Sequence, residues 1–217
     1  MQPFWDACKH GNLEEAQRLF GLGDVAIHAV DELAFQLACG HGHLAVAQWL
    51  VSLGGVNVHV TADCAFRGAC EGGHLMLAQW LFALGGVDIH AEDDYAFRWA
   101  CMKGHFVVAQ WLVSLGGVDI HFSDDMAFRW ACAVGHLAVA QWVLGLGGVA
   151  MHALQDDAFR AASEYGHLQL AQWLIAVEPE WDWPADVMKA LQVWSPARDV
   201  WMRAVTGARG IASRTLQ

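Results

Sequence analysis

Residues 94–121 run D-Y-A-F-R-W-A-C-M-K-G-H-F-V-V-A-Q-W-L-V-S-L-G-G-V-D-I-H. This stretch decides the fold, because the chain repeats it. Gly11, Gly42, Gly73, Gly104, Gly135 and Gly166 follow one another at intervals of 31 positions. Phe4, Phe35, Phe66, Phe97, Phe128 and Phe159 keep the same step, as do Gln17, Gln48, Gln79, Gln110, Gln141 and Gln172. Six copies in fixed phase without an insertion are not a chance pattern. A period of this length marks an array of supersecondary units that bury their apolar faces against one another.

Each copy divides into two helices. The first is predicted over about Asp94 to Lys103 in the fourth copy, opened by an acid that recurs as Glu32, Asp63, Asp94, Asp125 and Asp156. An acid there can cap free backbone amides and suits the positive end of the helix dipole. Gly104 ends the helix as a C′ glycine does. The second helix is predicted over Phe106 to Leu115, closed by Gly116-Gly117. The V-D-I-H that follows alternates like a short extended piece. Neither helix is long enough to be stable alone, so stacking must supply the core.

Composition agrees with a packed array. The 217-residue chain is 56% hydrophobic and 16% charged, which excludes disorder. Its formal net charge of −11 disfavours a phosphate backbone as partner. No apolar run reaches the length of a membrane span, and the start, M-Q-P-F-W-D-A-C-K-H-G, is not a signal peptide. The six cysteines then read as reduced thiols of a cytoplasmic protein.

The unit resembles the ankyrin repeat. The likeness lies in A-C-x-x-G-H-L-x-V-A-Q-W-L followed by L-G-G-V-D-I-H, and it covers roughly residues 3 to 177. The family's T-P-L-H is replaced by Tyr95 to Arg98 and their equivalents, and the period is 31 rather than 33, so the hairpin fingers are expected to be reduced or absent. A-F-R-x-A-C with S-L-G-G-V-D-I-H is similar to ankyrin proteins of large amoeba-infecting DNA viruses, which would place the chain in a host cytoplasm. The expected fold is all-α: an ankyrin-type helical-repeat solenoid of six helix-pair units with a C-terminal helical cap. The units fall at about 1–30, 31–61, 62–92, 93–123, 124–154 and 155–177, the cap at 178–206 and a tail at 207–217. What the resemblance implies is a monomeric scaffold that binds a protein partner and needs no cofactor or metal.

Comparison among the copies separates scaffold from surface. On a helical wheel, Phe97, Ala100, Cys101 and Gly104 cluster within about 60° of one direction and are core. The positions that vary among copies, Tyr95, Trp99, Met102 and Lys103, fall at about 140° to 240°. In an ankyrin-like stack that side of the first helix lines the concave groove. Aromatic residues and methionine gather there in the fourth and fifth units: Tyr95, Trp99 and Met102 with Lys103, then Met126 and Trp130, with Phe122 at the rim and Tyr165 in the sixth unit. Such residues anchor interfaces. The alternative is that Trp99 and Trp130 simply pack against each other.

Several ladders read as structural. His43, His74, His105, His136 and His167 form one, and His28, His59, His90, His121 and His152 another. Successive units lie about 10 Å apart, too far for like positions to share a zinc ion or for Cys8, Cys39, Cys70, Cys101 and Cys132 to pair. Cys64 stands off the ladder as a candidate exposed thiol. Arg67, Arg98, Arg129 and Arg160 follow the opening acid by four, a spacing suited to an ion pair on one helix. The row Trp49, Trp80, Trp111, Trp142 and Trp173 reads as indoles lying flat across the neighbouring second helix, or else as a second binding face for self-association.

The ends break the pattern. Glu14, Glu15 and Arg18 replace apolar positions, as in a capping repeat. After Val177 the phase is lost, and helices are expected over about 184–194 and from Ser195-Pro196 to about 205. W-P-A-D-V-M-K-A-L, residues 183–191, is similar to the opening of an F-box, which implies an alternative role as an adaptor recruiting ubiquitin-ligase machinery. No nucleophile elbow, P-loop or H-E-x-x-H is present, so an enzyme is not expected.

Overall fold

A computed structural model describes residues 1–23 and 25–188. Its helices are α1 (Gln2–Lys9), α2 (Leu13–Gly21), α3 (Ala29–Gly40), α4 (Leu44–Ser52), α5 (Val60–Glu71), α6 (Leu75–Ala83), α7 (Ala91–Met102), α8 (Phe106–Leu115), α9 (Phe122–Val134), α10 (Leu137–Gly145), α11 (Ala153–Glu164) and α12 (Leu168–Val177). They form six helix pairs, one per repeat, and no strand occurs among the described residues. The architecture is the ankyrin-type helical-repeat solenoid expected. The chain divides into two compact parts, Met1–Ile120 and His121–Gln217, and each is described by itself.

In both parts the core is the stripe shared by all copies. Phe4, Phe35, Phe66 and Phe97 in the first part, and Phe128 and Phe159 in the second, are at most 1% exposed. Beside them lie the small residues Ala38, Cys39, Ala69, Cys70, Ala100 and Cys101, fully buried, which let neighbouring first helices approach. The glycine that follows closes a Schellman turn. Gly104 has φ +78°, its N–H donates to the Cys101 carbonyl at 3.1 Å, and the His105 N–H donates to the Ala100 carbonyl at 2.8 Å. The next residue of the G-H pair then reaches back one repeat. His43 Nε2 donates to the Lys9 carbonyl at 2.8 Å, and a Cβ added to Gly11 would lie 2.3 Å from the His43 ring. Glycine is thus required twice at this position, by its backbone angle and by the ring packed on it.

The opening of the first helices differs from expectation. α7 begins at Ala91, and Glu92, Asp93 and Asp94 all lie in the left-handed region, with φ of 56°, 56° and 58°. The same three-residue left-handed turn opens α3, α5, α9 and α11. Each such residue costs about 1–2 kcal/mol against a right-handed one, so the turn needs support. The arginine of A-F-R supplies it. Arg98 Nε donates to the Asp93 carbonyl at 2.8 Å and Nη2 to the Glu92 carbonyl at 2.7 Å. Arg67 and Arg129 make the same pair of bonds, and Gln36 takes the role in α3. The expected ion pair between this arginine and the opening acid is therefore not formed. The acid is itself the last residue of the left-handed turn, and the guanidinium reaches past it to the carbonyl oxygens of the two residues before it.

The acid also serves a different end from the cap expected. Asp63 is 5% exposed. Its Oδ1 accepts from His59 Nδ1 at 2.6 Å, and its Oδ2 accepts the Asp88 N–H, past the second helix of the same repeat, at 3.0 Å. Asp94 does the same with His90 and the Asp119 N–H, at 2.7 and 2.9 Å, and Asp125 with His121 and the Ala150 N–H. The V-D-I-H segment is accordingly a loop pinned to the start of the first helix of its own repeat rather than an extended strand. Asp88 Oδ1 accepts the His90 N–H at 2.9 Å, which sets the turn into α7.

Past α12 the chain folds back on the sixth repeat. Trp183 is 5% exposed with its ring centroid 4.6 Å from that of Phe159, and its Nε1 donates to the Glu178 carbonyl. Trp181 stacks on His152 at 3.5 Å, and Arg160 pairs with Asp186 at 3.1 Å. Residues 185–188 start the expected helix. Its remainder, the helix expected to 205, the tail and the last three residues of the F-box-like stretch lie outside the described residues.

Replacing Asp63 with alanine strands both the His59 ring and the Asp88 N–H. The variant should lose about 1–3 kcal/mol of stability, measured as a lowered midpoint in urea, whereas Asp93→Ala, on the exposed side of the same kind of turn, should lose far less.

Candidate partner-binding surface

In Met1–Ile120 the expected residues Tyr95, Trp99 and Lys103 come together. They occupy successive turns of α7 on the side away from Phe97. Tyr95 and Trp99 stack with ring centroids 5.3 Å apart and planes 26° from parallel. The Lys103 ammonium lies 5.2 Å from the Trp99 ring centroid, and the Arg67 guanidinium of the preceding repeat lies 4.9 Å from that of Tyr95. A cation thus covers each end of an aromatic pair, an arrangement favoured by the ring quadrupole. Glu71 of α5 ties it together: Tyr95 Oη donates to Glu71 Oε2 at 3.1 Å, and Lys103 Nζ lies 3.8 Å from Glu71 Oε1. Partial burial, followed by this bond to a carboxylate, pushes the Tyr95 phenol up to about 12. Met102 is half-buried and Lys103 exposed.

The equivalent slot one repeat earlier is empty of side chains. Leu37, Gly68 and Trp99 occupy it in α3, α5 and α7. A Cβ on Gly68 would meet the Gly40 backbone at 3.4 Å, and one on Gly72 would lie 2.8 Å from the Gly40 carbonyl oxygen. These glycines let α3 and α5 approach each other closely.

In His121–Gln217 the expected residues are Phe122, Met126, Trp130 and Tyr165. Phe122 forms the first turn of α9 rather than a loop rim, because the helix begins before the left-handed turn. Phe122, Met126 and Trp130 are half-buried. Tyr165, at the C-cap of α11, is 66% exposed. At the position equivalent to Tyr95 this part has Asp157, which accepts from Arg129 Nη1 at 2.7 Å.

Arg67 is the member that sequence reasoning left out, assigning it to an ion pair within its own helix. A signal existed. Arg67 precedes Tyr95 by 28 positions, as Arg129 precedes Asp157, and one repeat minus three brings the end of one side chain beside the start of the next first helix.

The remaining ladders are structural. Trp49 meets Phe20 at 5.8 Å and 84°, and Trp111 meets Phe82 at 5.9 Å and 89°. These two indoles pack on the preceding repeat, but edge-on rather than flat, which is the geometry aromatic quadrupoles prefer. The five ladder cysteines are buried and Cys64 is half-buried. Among the described residues, no group of three His, Cys, Asp or Glu is placed to hold a metal ion. No helix among them is long and apolar enough to cross a membrane.

Comparison with known proteins agrees with this architecture. The family model described as ankyrin repeats in many copies matches residues 4–51 and 68–113. Among solved structures, the human ASB11 ankyrin repeat domain is similar in fold, with a TM-score of 0.61 and 20% sequence identity, over 89% of this chain and 97% of that one. No curated protein matches significantly. The repeats over residues 4–51 and 68–113 are thus similar to ankyrin repeats, and the fold is similar to an ankyrin repeat domain over most of the chain.

Burial in apolar surroundings raises the thiol pKa of the ladder cysteines, to about 12 for Cys8, and further for Cys39, Cys70, Cys101 and Cys132. In the folded protein at pH 8, a thiol reagent should therefore modify Cys64 alone on the minute scale, and all six cysteines only in denaturant. Rapid native labelling of the ladder, mapped by peptide mass, would contradict the packing described.

Proposed function

We propose that this chain is a protein-binding scaffold that recognises its partner through the variable side of its first helices. The observation that carries this is the Tyr95–Trp99 pair. The core beneath it is complete without it, since Phe97, Ala100 and Cys101 are at most 1% exposed. Two aromatic rings and two cations are nevertheless held on the outer side of α7 by Glu71. Pre-ordered, amphipathic groups of this kind supply contact area at low entropic cost. Met102 beside them, and Met126 and Trp130 in the second part, belong to the same side of their own helices and extend the reading to that part. Binding rather than catalysis is the function, because the polar groups of this face are engaged in fixing its shape.

The adaptor alternative receives less support. Trp183 and Asp186, at the head of the F-box-like stretch, are engaged with Phe159 and Arg160, as capping residues would be. Self-association through the tryptophan row is likewise less supported, since Trp49 and Trp111 are used in packing.

The test is affinity capture from lysate with the full chain and with Trp99→Ala plus Trp130→Ala, each checked for an unchanged melting transition. Loss of two interface anchors should weaken a captured partner by about thirtyfold or more. Capture that survives the double substitution at full strength would sink this assignment of the face.

A further inference from the structure

The arginine that supports the left-handed turn has one nitrogen to spare, and two repeats display what it takes. Arg129 uses Nε and Nη2 on its turn, and its Nη1 donates to Asp157 Oδ2 at 2.7 Å. Arg160 places its Nη1 3.1 Å from Asp186 Oδ2. In each case the carboxylate comes from the element that follows in the stack. Arg67 is held in the same way, with Nε on the Ala62 carbonyl and Nη2 on the Thr61 carbonyl, both at 2.9 Å. The residue facing it, however, is Tyr95, which offers a ring face and turns its hydroxyl to Glu71. Among the described residues, Arg67 Nη1 has no acceptor.

Resting on the scaffold reading above, we propose that Arg67 Nη1 is a recognition slot for the carboxylate of an Asp or Glu on an extended partner peptide, which replaces in trans the acid that Asp157 and Asp186 supply in cis. The guanidinium is fixed by two carbonyl bonds, so little entropy remains to be lost on binding, and its third edge matches a carboxylate. The turn beneath it, Thr61-Ala62, has no exposed acid, unlike Glu92-Asp93 in the next repeat. The nearby carboxylates are already engaged: Asp63 by His59 and the Asp88 N–H, Glu71 by Tyr95 and Lys103.

The test is selection of random twelve-residue peptides on the full chain at about 0.3 M salt, where unspecific charge repulsion is screened. Four baits are used: the wild type, Arg67→Gln, Tyr95→Leu and Tyr95→Asp. The wild type should enrich peptides with an acid whose change to the amide weakens binding roughly ten- to a hundredfold. Tyr95→Leu should keep that difference. Arg67→Gln should abolish it, and so should Tyr95→Asp, which fills the slot from within as Asp157 fills that of Arg129. Should Arg67→Gln fail to fold, Tyr95→Asp decides, since its arrangement already exists in the sixth repeat. Peptides that bind without dependence on an acid, or whose acid dependence survives Tyr95→Asp, overturn the slot while leaving the scaffold reading in place. Enrichment of no peptide on any bait overturns the slot and counts against the scaffold reading as well.

Discussion

A buried carboxylate joins each repeat to the next, and the rest of the architecture depends on it. Asp63, Asp94 and Asp125 each take a histidine nitrogen from the end of the preceding repeat and a backbone N–H from the loop that closes their own repeat. A carboxylate that is 3–6% exposed is costly to bury unless its lone pairs are filled, and here two short, directed bonds fill them. Because one partner belongs to the preceding repeat and the other to the loop past the second helix of its own, the carboxylate is fully satisfied only when both are in place. This makes neighbouring repeats cooperative, which a short helix pair needs in order to fold at all.

The same requirement explains the left-handed turns. An acid four residues after the histidine must point inward beneath the loop, and a right-handed turn there would carry it around the helix. Three left-handed residues swing it into place and shorten the connection that a hairpin finger would otherwise fill. The strain is offset locally, by an arginine bonded to two of the carbonyl groups that the reversed turn leaves without helical partners. One motif, acid to A-F-R, therefore contains both the strained element and its support.

That support sets up the surface. An arginine committed through Nε and Nη2 presents its remaining edge to whatever stands at the head of the next first helix. Where that is an aspartate, as at position 157, the edge is closed by an ion pair. Where it is Tyr95, the guanidinium lies against a ring and helps to hold the Tyr95–Trp99 pair outward. Specificity in such a scaffold can change by single substitutions at one position per repeat, with the core untouched, because Phe97 and Tyr95 lie on opposite sides of one helix.

Much of this was legible in the sequence. Period, helix pairs, core stripe and the glycine stops follow from residues that recur in phase, since periodicity records which side of a helix is buried. That Trp49 and Trp111 pack on neighbouring helices followed too, though they lie edge-on and not flat. What the sequence could not disclose was the hand of the backbone at Glu92 to Asp94. Nothing in those residue types demands φ > 0, and the turn exists only because a histidine, an arginine and an amide from the loop past the second helix converge on it. The error in pairing Arg67 with its own helix followed from that, for the i,i+4 rule holds only on a continuous right-handed helix. The slot at Arg67, and the stack it helps to form with Tyr95, Trp99, Lys103 and Glu71, were decided by tertiary structure alone. They join side chains from two repeats at distances that local sequence does not encode.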